Sequence, residues 1–472
     1  MAFSIKIIGA GLAGCEAAWQ GARRGVQVEL FEMRPVRPTL AHQTADFAEL
    51  VCSNSLKSES EFTAPWLLKE EMRRAGSLLI EIAGQTSVPA GHALAVDREQ
   101  FARNVTAAIA REPLIRIHRE EVSVVREQEG ITIIASGPLT SDALSNEVGR
   151  LTGSDHLFFN DSISPIVEAD SIDYSKVYFA ARYGKGTADY INCPMTREEY
   201  DRFYDALVAA QSVEGHDWEK LNYFESCMPI EEIARRGRDT LRFGPMKPVG
   251  LQDPRTGKPP HAVVQLRREN LRASSYNLVG FQNHLRFGEQ ARALRLIPGL
   301  ENARFLRYGQ IHRNTYINAP TVLSATLQMC ALPNIFFAGQ ICGVEGYTES
   351  IAAGLIAGVG AARLALGEPP IAPPRESAFG SLMHYITHAD ARDFQPANIT
   401  FDLLPQLEEA TRRRIRDKAA RHRLVCERAL DAIGQWLSTV GSSSSSEYEQ
   451  GEETAVTQPA WKEPVDPPPR SG

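Results

Sequence analysis

Three glycines within six residues, Gly9, Gly11 and Gly14, lie between a β-prone apolar run and a helix-forming one. That feature constrains the chain more than any other. Residues 3–8 read as a strand, Gly9-Ala10-Gly11-Leu12-Ala13-Gly14 follows at once, residues 13–24 read as a helix stopped by Gly25, and residues 26–31 alternate as a second strand ending on Glu32. In that setting each glycine has its own duty. Gly9 turns sharply out of the strand, Gly11 leaves bare backbone for a pyrophosphate, and Gly14 lets the helix pack closely on the sheet. The unpaired N–H groups and the positive dipole end of the helix N-terminus favour an anion, and Glu32 is placed to accept hydrogen bonds from a ribose. The expectation is a dinucleotide-binding α/β fold with Gly9, Ala10, Gly11, Leu12, Ala13, Gly14 and Glu32 as cofactor-binding residues.

A chain of 472 residues can hold more than one domain, and 43% hydrophobic with 23% charged residues is an ordinary globular composition. Seven cysteines, an odd number with no C-x-x-C pair, argue against a disulfide framework or a zinc site and for a reducing, cytoplasmic setting with no metal. The glycine motif begins at residue 9, which leaves no place for a secretory signal. The longest small-residue apolar run, 351–362, falls short of a membrane span, so no membrane partner is expected. The net charge of −7 is uneven: six acids face two bases after Val440, which leaves the body nearly balanced. Local basic clusters can therefore still form a phosphate-binding face.

Along the chain, Asp46-Phe47-Ala48-Glu49 has the spacing of a capped helix start. It leads into Leu50-Val51-Cys52-Ser53-Asn54-Ser55-Leu56-Lys57, a polar loop with a cysteine and a lysine. Residues 94–98 read as a strand running into a helix over 99–110. Residues 131–135 read as a buried strand ending in Ser136-Gly137-Pro138, a small-residue end of the kind that lies against a dinucleotide phosphate. From about 190 to 307 the chain turns aromatic-rich and carries a long Pro/Gly/basic loop. The nucleotide fold resumes with the apolar run 335–339, ending on Gly339, and a helix from about Thr348 whose Gly354 and Gly358 suit close packing. A fold that opens at residue 3 and closes near 366 fits a flavin better than a nicotinamide nucleotide, whose domain is normally completed in one block. The expected fold class is α/β. A Rossmann-like FAD-binding domain (1–189 and 308–367) is interrupted by a smaller α+β insertion domain (190–307). A helical C-terminal segment (368–440), helical over 405–432, and a disordered tail (441–472) complete the chain.

Two cysteines stand apart from the rest. Cys227, in Ser226-Cys227-Met228-Pro229-Ile230-Glu231-Glu232, lies at or just before a helix whose first turn would hold Pro229 and the two glutamates. A helix N-terminus stabilises a thiolate, although a cysteine that merely packs there fits the pattern equally well. Cys52 has the same two readings, tilted toward reactivity by its polar neighbours. Cys15, Cys330 and Cys426 read as small core residues, and Cys193 and Cys342 as loop positions. His312, in His312-Arg313-Asn314-Thr315-Tyr316, could stack on a bound ring. Glu345-Gly346-Tyr347-Thr348-Glu349-Ser350 precedes a helix whose positive end would face a reduced flavin. Basic clusters around Arg235–Arg242, around Arg267, Arg268 and Arg272, and over 412–428 each fit a solvated face, and the three together are candidate phosphate-backbone contacts.

Taken together, these motifs resemble the folate- and FAD-dependent tRNA (uracil-5-)-methyltransferases of bacteria, relatives of the GidA-type tRNA-modifying flavoproteins. The resemblance spans roughly 3–437. It rests on the glycine turn, Leu50 to Ser55, Gly137-Pro138-Leu139-Thr140-Ser141, Tyr223-Phe224-Glu225-Ser226-Cys227-Met228-Pro229, His312 to Tyr316 and Gly339 to Ser350. The two cysteine motifs are its most specific part, and GidA-type proteins lack them in these places. The resemblance implies one-carbon transfer from 5,10-methylenetetrahydrofolate to carbon 5 of a T-loop uridine in tRNA, and reduction to methyl by reduced FAD. NADPH or NADH would re-reduce the flavin. It also implies Cys227 as nucleophile and Cys52 as general base, in roles that could be exchanged, since carbon 5 attacks only after a thiolate adds to carbon 6. His312 and Tyr347 would serve the folate and flavin pocket, and Gly137, Gly339, Glu345 and Thr348 the cofactor. A GidA-like tRNA-modifying flavoprotein, a small-molecule flavin oxidoreductase and a non-enzymatic RNA-binding flavoprotein are the alternatives.

Overall fold

Short runs such as Ile5–Ile8 (IKII) and Ile131–Ile134 (ITII) place isoleucine on both faces, which suits strands covered on both sides. They belong to a five-stranded parallel sheet in the order Ile335–Phe337, Ile131–Ile134, Ile5–Ile8, Val28–Phe31, Ile115–His118. Ile7 stands opposite Leu30 on one side and Ile133 on the other, and all three are fully buried. Each such side chain contributes roughly 1.5–3 kcal/mol through burial. The computed structural model describes residues 4–39, 41–127, 130–153, 157–184, 187–213 and 228–441.

The first helix, Leu12–Ala22, packs against the long helix Tyr347–Ala365. Contact is close enough that a Cβ on Gly354 would stand 2.2 Å from the Ala13 carbonyl oxygen, and one on Gly358 2.6 Å from that of Ala17. The small residues of the second helix thus serve helix-to-helix approach. This contact joins residues near the start of the chain to residues past 350 and closes the nucleotide-binding layer.

A second, antiparallel sheet runs Tyr178–Phe179, Ile191–Met195, Ala262–Arg268, Ser275–Leu278, Ile166–Glu168, Phe305–Arg307. It has its own core, with Val167, Ile191, Phe203, Leu266 and Phe281 all fully buried. Helix Arg197–Val208 covers it, begun by a capping box between Thr196 and Glu199. The sheet recruits 166–168 and 178–179, so this layer opens earlier than the change of texture near Tyr190. An antiparallel ribbon of Leu157–Ser162 and Ile311–Tyr316 carries the chain out of the first layer and back.

The C-terminal segment differs from a single helix over 405–432. It forms Glu409–Arg414 and Lys418–Gly441. Ile415 is extended (φ −102°, ψ 104°), and the carboxylate of Asp417 accepts the N–H groups of Ala419 and Ala420, starting the second helix afresh. Gly441, expected to open the disordered tail, instead ends this helix, and the rest of that tail, 442–472, lies outside the described residues.

Candidate functional site

The glycine turn is built as its sequence requires. Gly9 has φ +101°, and a Cβ on Gly14 would stand 1.8 Å from the Gly9 carbonyl oxygen, so helix and turn meet backbone to backbone. Gly11 differs, because a Cβ there meets nothing within 4 Å. No side chain caps the helix that begins at Leu12. Its first N–H groups are therefore available to an anion.

A cleft opens over this turn, lined by Gly9, Gly11, Leu12, Ala13, Glu32, Gly137, Gly339, Cys52 and Tyr347 among others. Glu32, at the end of the second strand, accepts the Ala10 N–H at 3.1 Å through Oε2 and the Arg34 N–H and Nε–H at 3.0 Å through Oε1. Burial alone would raise its pKa, but the Arg34 guanidinium and these donors outweigh it and hold the carboxyl below its usual range. The result is a fixed carboxylate on the cleft wall. Arg34, which the sequence reading passed over, lies only 3% exposed and also pairs with Glu49 at 3.2 Å. The same Glu49 carboxylate accepts the N–H groups of Gln43 and Thr44. Those bonds fold 43–49 into turns, with Ala48 at φ +49°, where a capped helix was expected.

Ala10, Glu345 and Thr348 stand behind the wall rather than on it. Ala10 is fully buried. Glu345 accepts the Asn398 side-chain N–H at 2.8 Å, and the Thr348 hydroxyl donates to Glu349 at 2.8 Å. Glu349 also pairs with Lys57 at 2.6 Å, which ties the segment after Cys52 to the start of the Tyr347–Ala365 helix.

Cys52 is half-buried and lines the cleft. Its N–H donates to the Tyr347 hydroxyl at 2.8 Å, and the Ser53 N–H donates to the same oxygen at 3.1 Å. Burial, then the neighbouring Cys52, push the Tyr347 phenol well above its ordinary pKa, so it stays protonated. The Arg98 guanidinium donates to the Leu50 carbonyl at 2.7 Å and pairs with Glu269 at 2.9 Å.

The other thiols separate cleanly. Cys15, Cys193 and Cys342 are fully buried; burial pushes all three up, Cys342 to about 12. Cys193 lies in the Ile191–Met195 strand rather than a loop, and Cys330, expected in the core, is exposed. Cys227 lies outside the described residues, ahead of a helix that begins at Ile230 with Pro229 as its N-cap. His312 belongs to the Ile311–Tyr316 strand, and its side chain also lies outside the described set.

The basic clusters are less available than their sequence indicates. Arg238 pairs with Asp201 at 2.8 Å and also with Asp205, and Arg242 pairs with Asp239 at 2.7 Å. Arg267 is only 8% exposed and turned inward. Among the described residues no group of acidic, histidine or cysteine side chains could hold a metal ion, and no helix is long and apolar enough to cross a membrane.

Comparison with known proteins adds to this geometry. The profile of the family described as "Glucose inhibited division protein A" matches residues 4–369. The protein named "Methylenetetrahydrofolate--tRNA-(uracil-5-)-methyltransferase TrmFO" in Koribacter versatilis is 71% identical over 93% of this chain and 99% of its own length. The protein of the same name in Solibacter usitatus is 66% identical over 92% and 99%. Among solved structures, Aquifex aeolicus GidA superposes with a TM-score of 0.66 at 18% identity, covering 95% of this chain and 75% of that one. That is a likeness of fold.

Proposed function

This chain belongs to the GidA family and, within it, to the folate-dependent tRNA (uracil-5-)-methyltransferases, and from that premise we propose how its residues divide the work. The protein is a methyltransferase that takes a one-carbon unit from methylenetetrahydrofolate and places it on carbon 5 of a tRNA uridine. The GidA-type fold implies FAD, and the residues of the cleft fit that group. Gly11 faces open space, the helix behind it is uncapped, and a fixed carboxylate stands at the end of the second strand.

Gly9, Gly11, Leu12, Ala13 and Gly14 would hold the pyrophosphate, with Ala10 steering Glu32 toward a ribose. Gly137 and Gly339 border the same cleft, and Glu345 and Thr348 support the helix start that carries Tyr347. When bound, FAD supplies the electrons that reduce the transferred methylene to methyl, with NADPH or NADH as their source. His312 and Tyr347 are assigned to the folate and flavin pocket.

Uracil carbon 5 is a poor nucleophile until carbon 6 is attacked. In this reading the Cys227 thiolate adds to carbon 6, and carbon 5 of the resulting enolate attacks the methylene carbon. Cys52 then takes the proton from carbon 5, the bond between the methylene carbon and its carrier nitrogen breaks toward nitrogen to leave an exocyclic methylene, and once that carbon is reduced to methyl the restored enolate expels the Cys227 sulfur from carbon 6. The two cysteines could exchange these roles. The observation that supports the reading is that Cys52 lines the cleft of the glycine turn with its own N–H held by Tyr347. A small-molecule oxidoreductase would need neither, and the two relatives at 66% and 71% identity carry the methyltransferase name.

The test is to incubate the protein with NADPH, labelled methylenetetrahydrofolate and unmodified tRNA, and to map the labelled nucleotide. Label in a single T-loop uridine is expected. Turnover of NADPH with no label in RNA would overturn the assignment.

A further inference from the structure

We infer that Arg267 is a positioning residue for Cys52, reaching from the antiparallel sheet into the nucleotide-binding layer to hold the loop that carries the thiol. Arg267 lies on the Ala262–Arg268 strand, inside the sheet between Ile191–Met195 and Ser275–Leu278. Its Nε donates to Asn54 Oδ1 at 2.8 Å and its Nη2 to Ser53 Oγ at 2.7 Å. A planar guanidinium serving two acceptors fixes orientation as well as distance, which a lysine could not do.

The loop has little freedom left. Asn54 is fully buried, and its amide nitrogen donates to the carbonyls of Val96 and Arg268, each at 2.9 Å. On the other side of Cys52, the Leu50 carbonyl is held by Arg98, which pairs with Glu269, just beyond the same strand. The Leu271 N–H reaches back to Asp97 at 3.0 Å. Residues before and after Cys52 are thus tied to one strand end, while the Cys52 N–H is tied to Tyr347 in the other layer.

Arg267 is also a costly choice for a mere clasp. It is 8% exposed, its two bonds go to neutral groups, and among the described residues no carboxylate pairs with it. Burying a cation carries a desolvation cost that two neutral acceptors only partly offset, so stability alone does not account for the clasp. The mechanical consequence is that a tilt of the antiparallel sheet moves Ser53 and Asn54, and Cys52 with them. The inference rests on the reading of Cys52 as a reacting thiol.

The test uses the full-length protein with its flavin and follows alkylation of individual cysteines by iodoacetamide and peptide mass mapping. In Arg267→Gln, Cys52 should be alkylated about threefold or more faster as its loop loosens, with exposed Cys330 unchanged as internal control. Turnover with saturating tRNA should fall about tenfold, with the KM for tRNA within about twofold of wild type. Ser53→Ala removes one acceptor and leaves the arginine in place, so it serves if Arg267→Gln does not fold. It should shift Cys52 alkylation in the same direction by about twofold. Unchanged Cys52 alkylation in the variants that fold, or a loss that excess tRNA restores in full, would overturn the proposal. Full methylation by Cys52→Ala would remove the chemical role of that thiol while leaving the alkylation result to decide the clasp.

Discussion

The Tyr347 hydroxyl accepts the Cys52 N–H at 2.8 Å across 295 positions of sequence. One oxygen thereby joins the loop that holds a thiol to the first residue of the helix that completes the nucleotide-binding layer. The Ser53 N–H shares that oxygen, so the loop is fixed by its backbone beside the cleft that Cys52 lines.

Removing this oxygen should separate placement from cofactor binding. In Tyr347→Phe two backbone donors lose their acceptor, each worth about 1 kcal/mol or more when left unmet. Methylation turnover should fall about tenfold or more, at about 1.4 kcal/mol per decade, while visible flavin absorbance per polypeptide stays at the wild-type level. Wild-type turnover would mean that the loop holds its shape without the phenol.

The two thiols can be told apart by what accumulates. If Cys227 adds to carbon 6 and Cys52 removes the proton, Cys52→Ala should stall after addition and carry a covalent protein–tRNA adduct, seen as a band resistant to denaturation. Cys227→Ala should carry none, and both should keep their flavin. The reverse pattern would exchange the roles.

The glycines of the turn predict two different failures. Gly11→Ala meets no neighbour, so the protein should fold with unchanged melting temperature yet lose flavin, because the methyl group occupies the approach of the pyrophosphate. Gly14→Ala collides with the Gly9 carbonyl at 1.8 Å, so both flavin and thermal stability should drop. A Gly11→Ala protein that keeps its flavin in full would remove the pyrophosphate from this place.

Stability should fall as pH rises, in part through the buried carboxyl of Glu71. Burial lifts Glu71 from 4.5 to about 8, against the pull of the Phe379 and Ala378 N–H groups that it accepts. A raised folded-state pKa means that the native chain holds a proton that the unfolded chain releases. The contribution is therefore complete below about 4.5 and is lost as pH approaches about 8. Melting temperatures measured across that window should decline in the wild type and run flatter in Glu71→Gln. Parallel curves would assign the decline to other groups.

Local requirements were readable from residue order. The turn at Gly9 to Gly14, the strands beside it and the carboxylate at Glu32 depend on backbone conformation and near neighbours, and residue identity encodes those. The break at 415–417 was missed because Asp417 competes as a helix cap within an otherwise helical composition. Glu49 looked like part of a capping box, yet its carboxylate turns back to Gln43 and Thr44 and bridges to Arg34. Arg267 read as a phosphate contact by its charge alone. Its sheet position and the facing Ser53–Asn54 loop turned it inward.

By itself the sequence determined a dinucleotide-binding α/β layer and its first cofactor contacts, because a tight turn, a close helix approach and a free helix end are demands on a few consecutive residues. Only the tertiary structure decided which charged and polar side chains hold the Cys52 loop. Tyr347, Arg98 and Arg267 come to it from positions 48 to 295 residues away along the chain, and pairing over such distances follows from how buried layers pack, which no local pattern records.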